Sequence, residues 1–241
     1  MSQNSANIIT YNYKFTFDDG TEKEFNVQLD NKTLDLIQPA QETYPQWSEL
    51  KCSQCPNCPL DEQKHKFCPA AVALIDLITF CKNLISYTEV DVEVDAGGRR
   101  YAKRVSLQKG LSSLMGIYMA ASGCPIMEKF KPMVRYHLPF ATPGETRYRV
   151  ISMYLLAQYF LRKQSKPADW ELKDLVKIYA EVIIVNKNFF NRLANIKIQD
   201  ATLNALINLD SFAQSASFSI DQGALQEIEL LFKAYLRGQS N

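Results

Sequence analysis

Four cysteines, Cys52, Cys55, Cys58 and Cys68, fall within seventeen residues, and they constrain this chain more than any other feature. The loop that carries them, about Tyr44 to Cys68, is polar and has no apolar core of its own, so burial alone does not fix its shape. Two-residue spacing turns successive thiolates toward one ion, and the nine residues before Cys68 bring the chain back with a fourth ligand. Lys51, Lys64 and Lys66 supply positive charge to offset thiolate charge. The spacing therefore predicts a metal site with Cys52, Cys55, Cys58 and Cys68 as its ligands. His65, between Lys64 and Lys66, reads as an exposed bystander.

Two centres fit four thiolates. A closed tetrahedron of four cysteines with no open position describes structural Zn2+. An iron–sulfur cluster takes four thiolates as well, and Pro follows Cys55, Cys58 and Cys68 as it does the last cysteine of the bacterial ferredoxin run. The polar stretch Asp61-Glu62-Gln63-Lys64 makes an exposed, oxidation-prone setting, and no second cysteine set is spaced for electron relay. Zinc leads, with the cluster as the alternative.

The rest of the composition narrows the class. Six cysteines in a chain that starts with a polar stretch, Met1 to Ile9, argue for a reducing compartment and against a disulfide framework. A cytoplasmic protein is expected. With net charge +1, no overall field draws the chain to nucleic acid or an anionic membrane, so neither is expected as a partner; a protein partner is left open. No window approaches the roughly 20 apolar residues of a membrane span. At 241 residues, 46% hydrophobic and 22% charged, the chain can bury one large core, and a single domain over 1–241 is expected.

Around the cysteine loop the pattern is α+β. Tyr11, Tyr13, Phe15 and Phe17 alternate with polar residues, Asp19-Gly20 turns, and Phe25, Val27 and Leu29 resume the alternation: a hairpin over 10–30. Val90, Val92 and Val94 begin a second over 88–106, turning at Gly97-Gly98. The two are expected to form a small antiparallel sheet with one covered face. Its basic run, Arg99, Arg100, Lys103 and Arg104, faces Glu89, Asp91, Glu93 and Asp95, and cross-strand pairing accounts for both.

A buried helix is expected over Ala70–Ile85, opened by Pro69. From 107 to 238 the chain reads as a helical part. Gly110, Ser112, Ser113, Gly116 and Ala120 would let another element approach the first helix closely. Pro125 opens a short helix toward Arg135, and Thr142-Pro143-Gly144-Glu145 is a capping box for one ending near Lys163. Asp169, Asp200 and Ser219 (with Gln222 three residues on) are expected to cap three more, with Gly238 ending the last.

A second constellation is Ser122-Gly123-Cys124-Pro125 with His137-Leu138-Pro139-Phe140. A cysteine at a helix start with a histidine near it has the parts of a thiol nucleophile and its base. The plainer reading is a buried cysteine and a loop-anchoring histidine. Glu145, Arg147 and Arg149 read as a helix start with arginines able to hold an anion or to pair on the surface. Cys81 reads as core.

Together, the cysteine cluster, the Ser122–Pro125 segment and His137–Phe140 resemble an uncharacterised bacterial protein family over roughly Trp47 to Arg162. The resemblance implies no activity and carries no catalytic residue over; it implies that the three segments form one unit. Three functions fit: a zinc-stapled, non-catalytic binding or regulatory module, an iron–sulfur redox or sensor protein on the same cysteines, and a thiol enzyme using Cys124 and His137.

Overall fold

The computed structural model describes residues 7–196, 198–221 and 224–237, with residues 215–221 and 224 as backbone only. Strands β1 (Ile8–Thr16) and β2 (Glu22–Asp30) form the first hairpin, with Tyr13 opposite Phe25. Gly20, at φ +83°, makes a turn that an L side chain rarely adopts. The two-residue strand β3 (Leu36–Ile37) adds to the edge of β2. After the cysteine loop come two short helices, α1 (Pro69–Ala73) and α2 (Ile75–Cys81). Leu74, at φ −102° and ψ 2°, breaks what the sequence predicts as one helix.

Strands β4 (Glu89–Ala96) and β5 (Arg99–Ser106) form the second hairpin, and β4 pairs with β1. The result is one antiparallel sheet in the order β3-β2-β1-β4-β5. Alternation sorts its faces: Tyr11, Tyr13, Phe15, Val27, Val92 and Val94 are buried on one. On the other, Arg104 pairs with Asp91 and Asp18, and Arg100 with Glu93. The fold class is α+β.

Helix α3 (Leu107–Ala121) crosses the apolar face. It comes so close that a Cβ on Gly110 would lie 2.8 Å from Phe15 Cε1 and 3.1 Å from Val92 Cγ2. A 3-10 turn, Met127–Phe130, and α4 (Lys131–Arg135) stand where the sequence predicts a single short helix. Helix α5 (Pro143–Lys163) starts at the predicted capping box: Glu145 N donates to Thr142 Oγ1, and Thr142 N donates to the Glu145 carboxylate.

Helix α6 (Lys173–Ala194) begins four residues after Asp169. The Asp169 carboxylate still accepts from Asp174 N, but it also holds Glu171 N and the Tyr154 hydroxyl, and buried Leu172 turns left-handed (φ +61°) to enter the core. Helix α7 (Asp200–Asp221) runs through Ser219, so no helix starts there, and it packs on both α3 and α6. Gln222 and Gly238 lie outside the described residues. The chain continues through α8 (Ala224–Glu229) and α9 (Lys233–Leu236). One hydrophobic core joins the sheet to α1–α7, and no described helix is long and apolar enough to cross a membrane.

Candidate metal centre

The cysteine loop is closed at its base by a short antiparallel ladder: Leu50 N donates to Lys66 O (2.9 Å) and Cys68 N to Ser48 O (2.8 Å). The ladder places Cys68 directly before Pro69, the first residue of α1. Ser53, at φ +53°, reverses the chain just after Cys52, and Cys58 N donates to Cys55 O in a tight turn. Asn57 Nδ2 ties that turn to α6 through Glu181 O (3.1 Å).

Across the loop from α6 comes Arg192. Only 2% exposed, it donates to four loop carbonyls: Trp47 and Glu49 at 2.6 Å, Leu50 at 3.3 Å and Ser53 at 3.5 Å. No carboxylate among the described residues forms an ion pair with it. A buried cation without an anion is costly even when its N–H groups are satisfied.

Arg192 lines a small cavity of about 20 Å3, and so do Cys55, Cys58, Cys68 and Cys124. Of the four cysteines picked out as ligands by spacing, Cys55, Cys58 and Cys68 line this cavity and Cys52 does not; Cys124, from the loop after α3, lines it as well. His65 is exposed and outside it. The sequence does carry a signal for this set: Pro follows Cys55, Cys58, Cys68 and Cys124, whereas Ser53 follows Cys52 and Lys82 follows Cys81. Proline holds the residue before it in extended backbone, which presets the path of each of the four.

Burial pushes the Cys55 thiol up to about 12; Cys68, Cys124 and Cys58 add to the push, and the Arg192 guanidinium opposes it. Cys124 is also raised by burial, against the amides of Met127 and Ile126, which face its sulfur. Such thiols stay protonated at neutral pH unless a cation takes the proton's place, and a coordinating metal deprotonates a thiol outright. Among the described residues no three His, Cys, Asp or Glu side chains are set closely enough, as placed, to hold a metal ion. The roughly 3.5–4 Å sulfur spacing of a zinc tetrahedron would require the four thiols that line this cavity to draw closer together.

Cys124 and His137 line different cavities, and no hydrogen bond joins them. His137 Nε2 instead meets the Tyr13 hydroxyl at 2.5 Å, and that hydroxyl meets Ser113 Oγ at 2.9 Å. Burial, with the nearby Arg149 charge, holds the His137 imidazole down to about 3. A thiol nucleophile needs a lowered pKa and a base in reach, and Cys124 has neither here. Arg149 donates to Met133 O (2.8 Å) and Tyr136 O (2.7 Å), fixing the loop before α5. Cys81 is buried in the core, as its sequence setting predicts.

A family model described as a domain of unknown function (DUF6901) matches residues 9–233. No curated protein and no solved structure matches the chain.

Proposed function

The chain belongs to this family of unknown function, and from its own residues we propose that it is a zinc-stapled, non-catalytic binding module. The ligands are Cys55, Cys58, Cys68 and Cys124, and the metal fixes the Trp47–Cys68 loop to the helical part. The observation that carries this reading is a buried guanidinium with no carboxylate, lining one cavity with four thiols. Four thiolates on a divalent ion leave two negative charges, which is the anion Arg192 lacks. The Ile126 and Met127 amides near the Cys124 sulfur would serve a bound thiolate as outer-shell donors.

A space of about 20 Å3 is nearer in size to a single ion than to an iron–sulfur cuboid, and zinc is preferred on that ground. A role in binding is supported by apolar side chains left at the surface: Leu156, Tyr159 and Phe160 on α5, and Leu231, Tyr235 and Leu236 near the C-terminal end. Surface apolar groups of this kind would supply the contact area for a partner where they join into one patch. The test is the metal content and spectrum of the full-length protein purified without oxygen. One zinc per chain in a colourless protein is expected. A brown protein absorbing near 400 nm would replace zinc by an iron–sulfur cluster, and a chain carrying neither would overturn the reading.

A further inference from the structure

Away from the cysteines, a cavity of about 470 Å3 opens between β5, α3, the 127–141 segment, α6 and α7. That volume lies within the range of small-molecule sites. Its walls are mostly apolar, with Ile117, Met127, Phe130, Val182, Leu209 and Phe212 among them. Among the described residues no aspartate or glutamate lines it, but three cations do: Lys103, Lys109 and Arg149. None of the three forms an ion pair among the described residues. Lys103 and Lys109 are exposed and so mark the mouth, while Arg149 is half-buried. The nearest acid, Glu145, is close enough for Arg149 and Lys103 to stabilise its charge, but its carboxylate is held by Thr142 N and Oγ1, both at 2.8 Å.

Deeper in the wall are two polar atoms with nothing to bond. Asn186, 2% exposed, presents a buried Oδ1 without a donor, and Asn208 a buried Nδ2 without an acceptor. Buried amide groups are nearly always paired, so an unpaired donor and acceptor in one cavity point to a missing partner.

We propose that this cavity binds an amphipathic organic anion. Its carboxylate or phosphate head is placed at Lys103, Lys109 and Arg149, and its apolar body runs along α3. A hydroxyl or amide at the far end of that body bonds to Asn186 and Asn208, the two unpaired amides in the wall. The site is independent of the metal reading, although the segment from Cys124 to His137 borders both cavities.

Calorimetric titration of the full-length protein, as purified, with decanoate, decyl phosphate, decanol and 10-hydroxydecanoate tests this. Decanoate or decyl phosphate should bind saturably at one per chain, the tighter of the two identifying the head, and decanol at least tenfold more weakly. 10-Hydroxydecanoate should bind several-fold more tightly than decanoate, and Asn186→Leu should abolish that advantage while leaving decanoate binding in place. The pair Lys103→Glu and Lys109→Glu, both at the surface, should weaken decanoate at least tenfold without lowering the melting temperature. Decanol binding as tightly as decanoate, full affinity in the double lysine variant, or no saturable binding by any of the four would overturn the proposal.

Discussion

Arg192 and His137 are the two residues whose surroundings most determine how this protein should respond to change. Arg192 serves four loop carbonyls through its planar fork, a geometry that a lysine ammonium does not reproduce. On the proposed zinc reading, Arg192→Lys keeps the charge but loses the fork that holds the loop, so it should weaken zinc less than Arg192→Leu, which loses both. Competition with a chelator would measure the two, and wild-type affinity in Arg192→Leu would show that the guanidinium does not compensate the thiolates. For His137 the sign follows from its lowered pKa. The unfolded imidazole titrates near 6.5, the folded one at about 3, so between these values only the unfolded chain binds the proton. Stability from this group is fully present above about pH 6.5 and is lost as pH falls toward 3, by at most about 1.4 kcal/mol per unit. Denaturant titrations at pH 7 and pH 5 should show the loss in the wild type and a smaller one in His137→Gln. Equal losses in the two would mean that the imidazole takes up its proton without leaving its place.

At the scale of elements, the approach of α3 to the sheet depends on one missing methyl group. Alanine at 110 gains about 1 kcal/mol of helix propensity, yet its Cβ would lie 2.8 Å from the buried Phe15 ring. Overpacking of that kind costs about 1–3 kcal/mol, so Gly110→Ala should lower stability in denaturant titration; a more stable variant would show that α3 has room to move outward. Both hairpins and the start of α5 could be read in the sequence because each depends on neighbours in the chain: alternation, an Asp-Gly or Gly-Gly turn, a capping box. The breaks at Leu74 and before Lys173 could not. They arise where a buried leucine takes the backbone the core requires, left-handed at Leu172, over the preference of the local residues. The cysteines divide in the same way. Short spacing picks out Cys52, Cys55, Cys58 and Cys68 alike, and no local pattern tells that only the last three line the small cavity. Arg192, Asn186 and Asn208 reach their cavities through tertiary packing that no local pattern encodes, and for Cys124 the proline that follows it is the one local trace.

For the molecule as a whole, the proposed zinc would join the cysteine loop to the loop after α3 and add its binding energy to the folded state alone. Chelation should lower the melting temperature and speed proteolysis at Lys64 and Lys66, both exposed, while the sheet and α3–α7, with a core of their own, keep their helical signal. An unchanged cleavage rate would argue against a staple. The most direct test of the account is zinc stoichiometry in two single variants, Cys124→Ser and Cys52→Ser, purified side by side. The account predicts that Cys124→Ser loses the zinc and Cys52→Ser keeps one per chain; zinc retained by Cys124→Ser and lost from Cys52→Ser would contradict it.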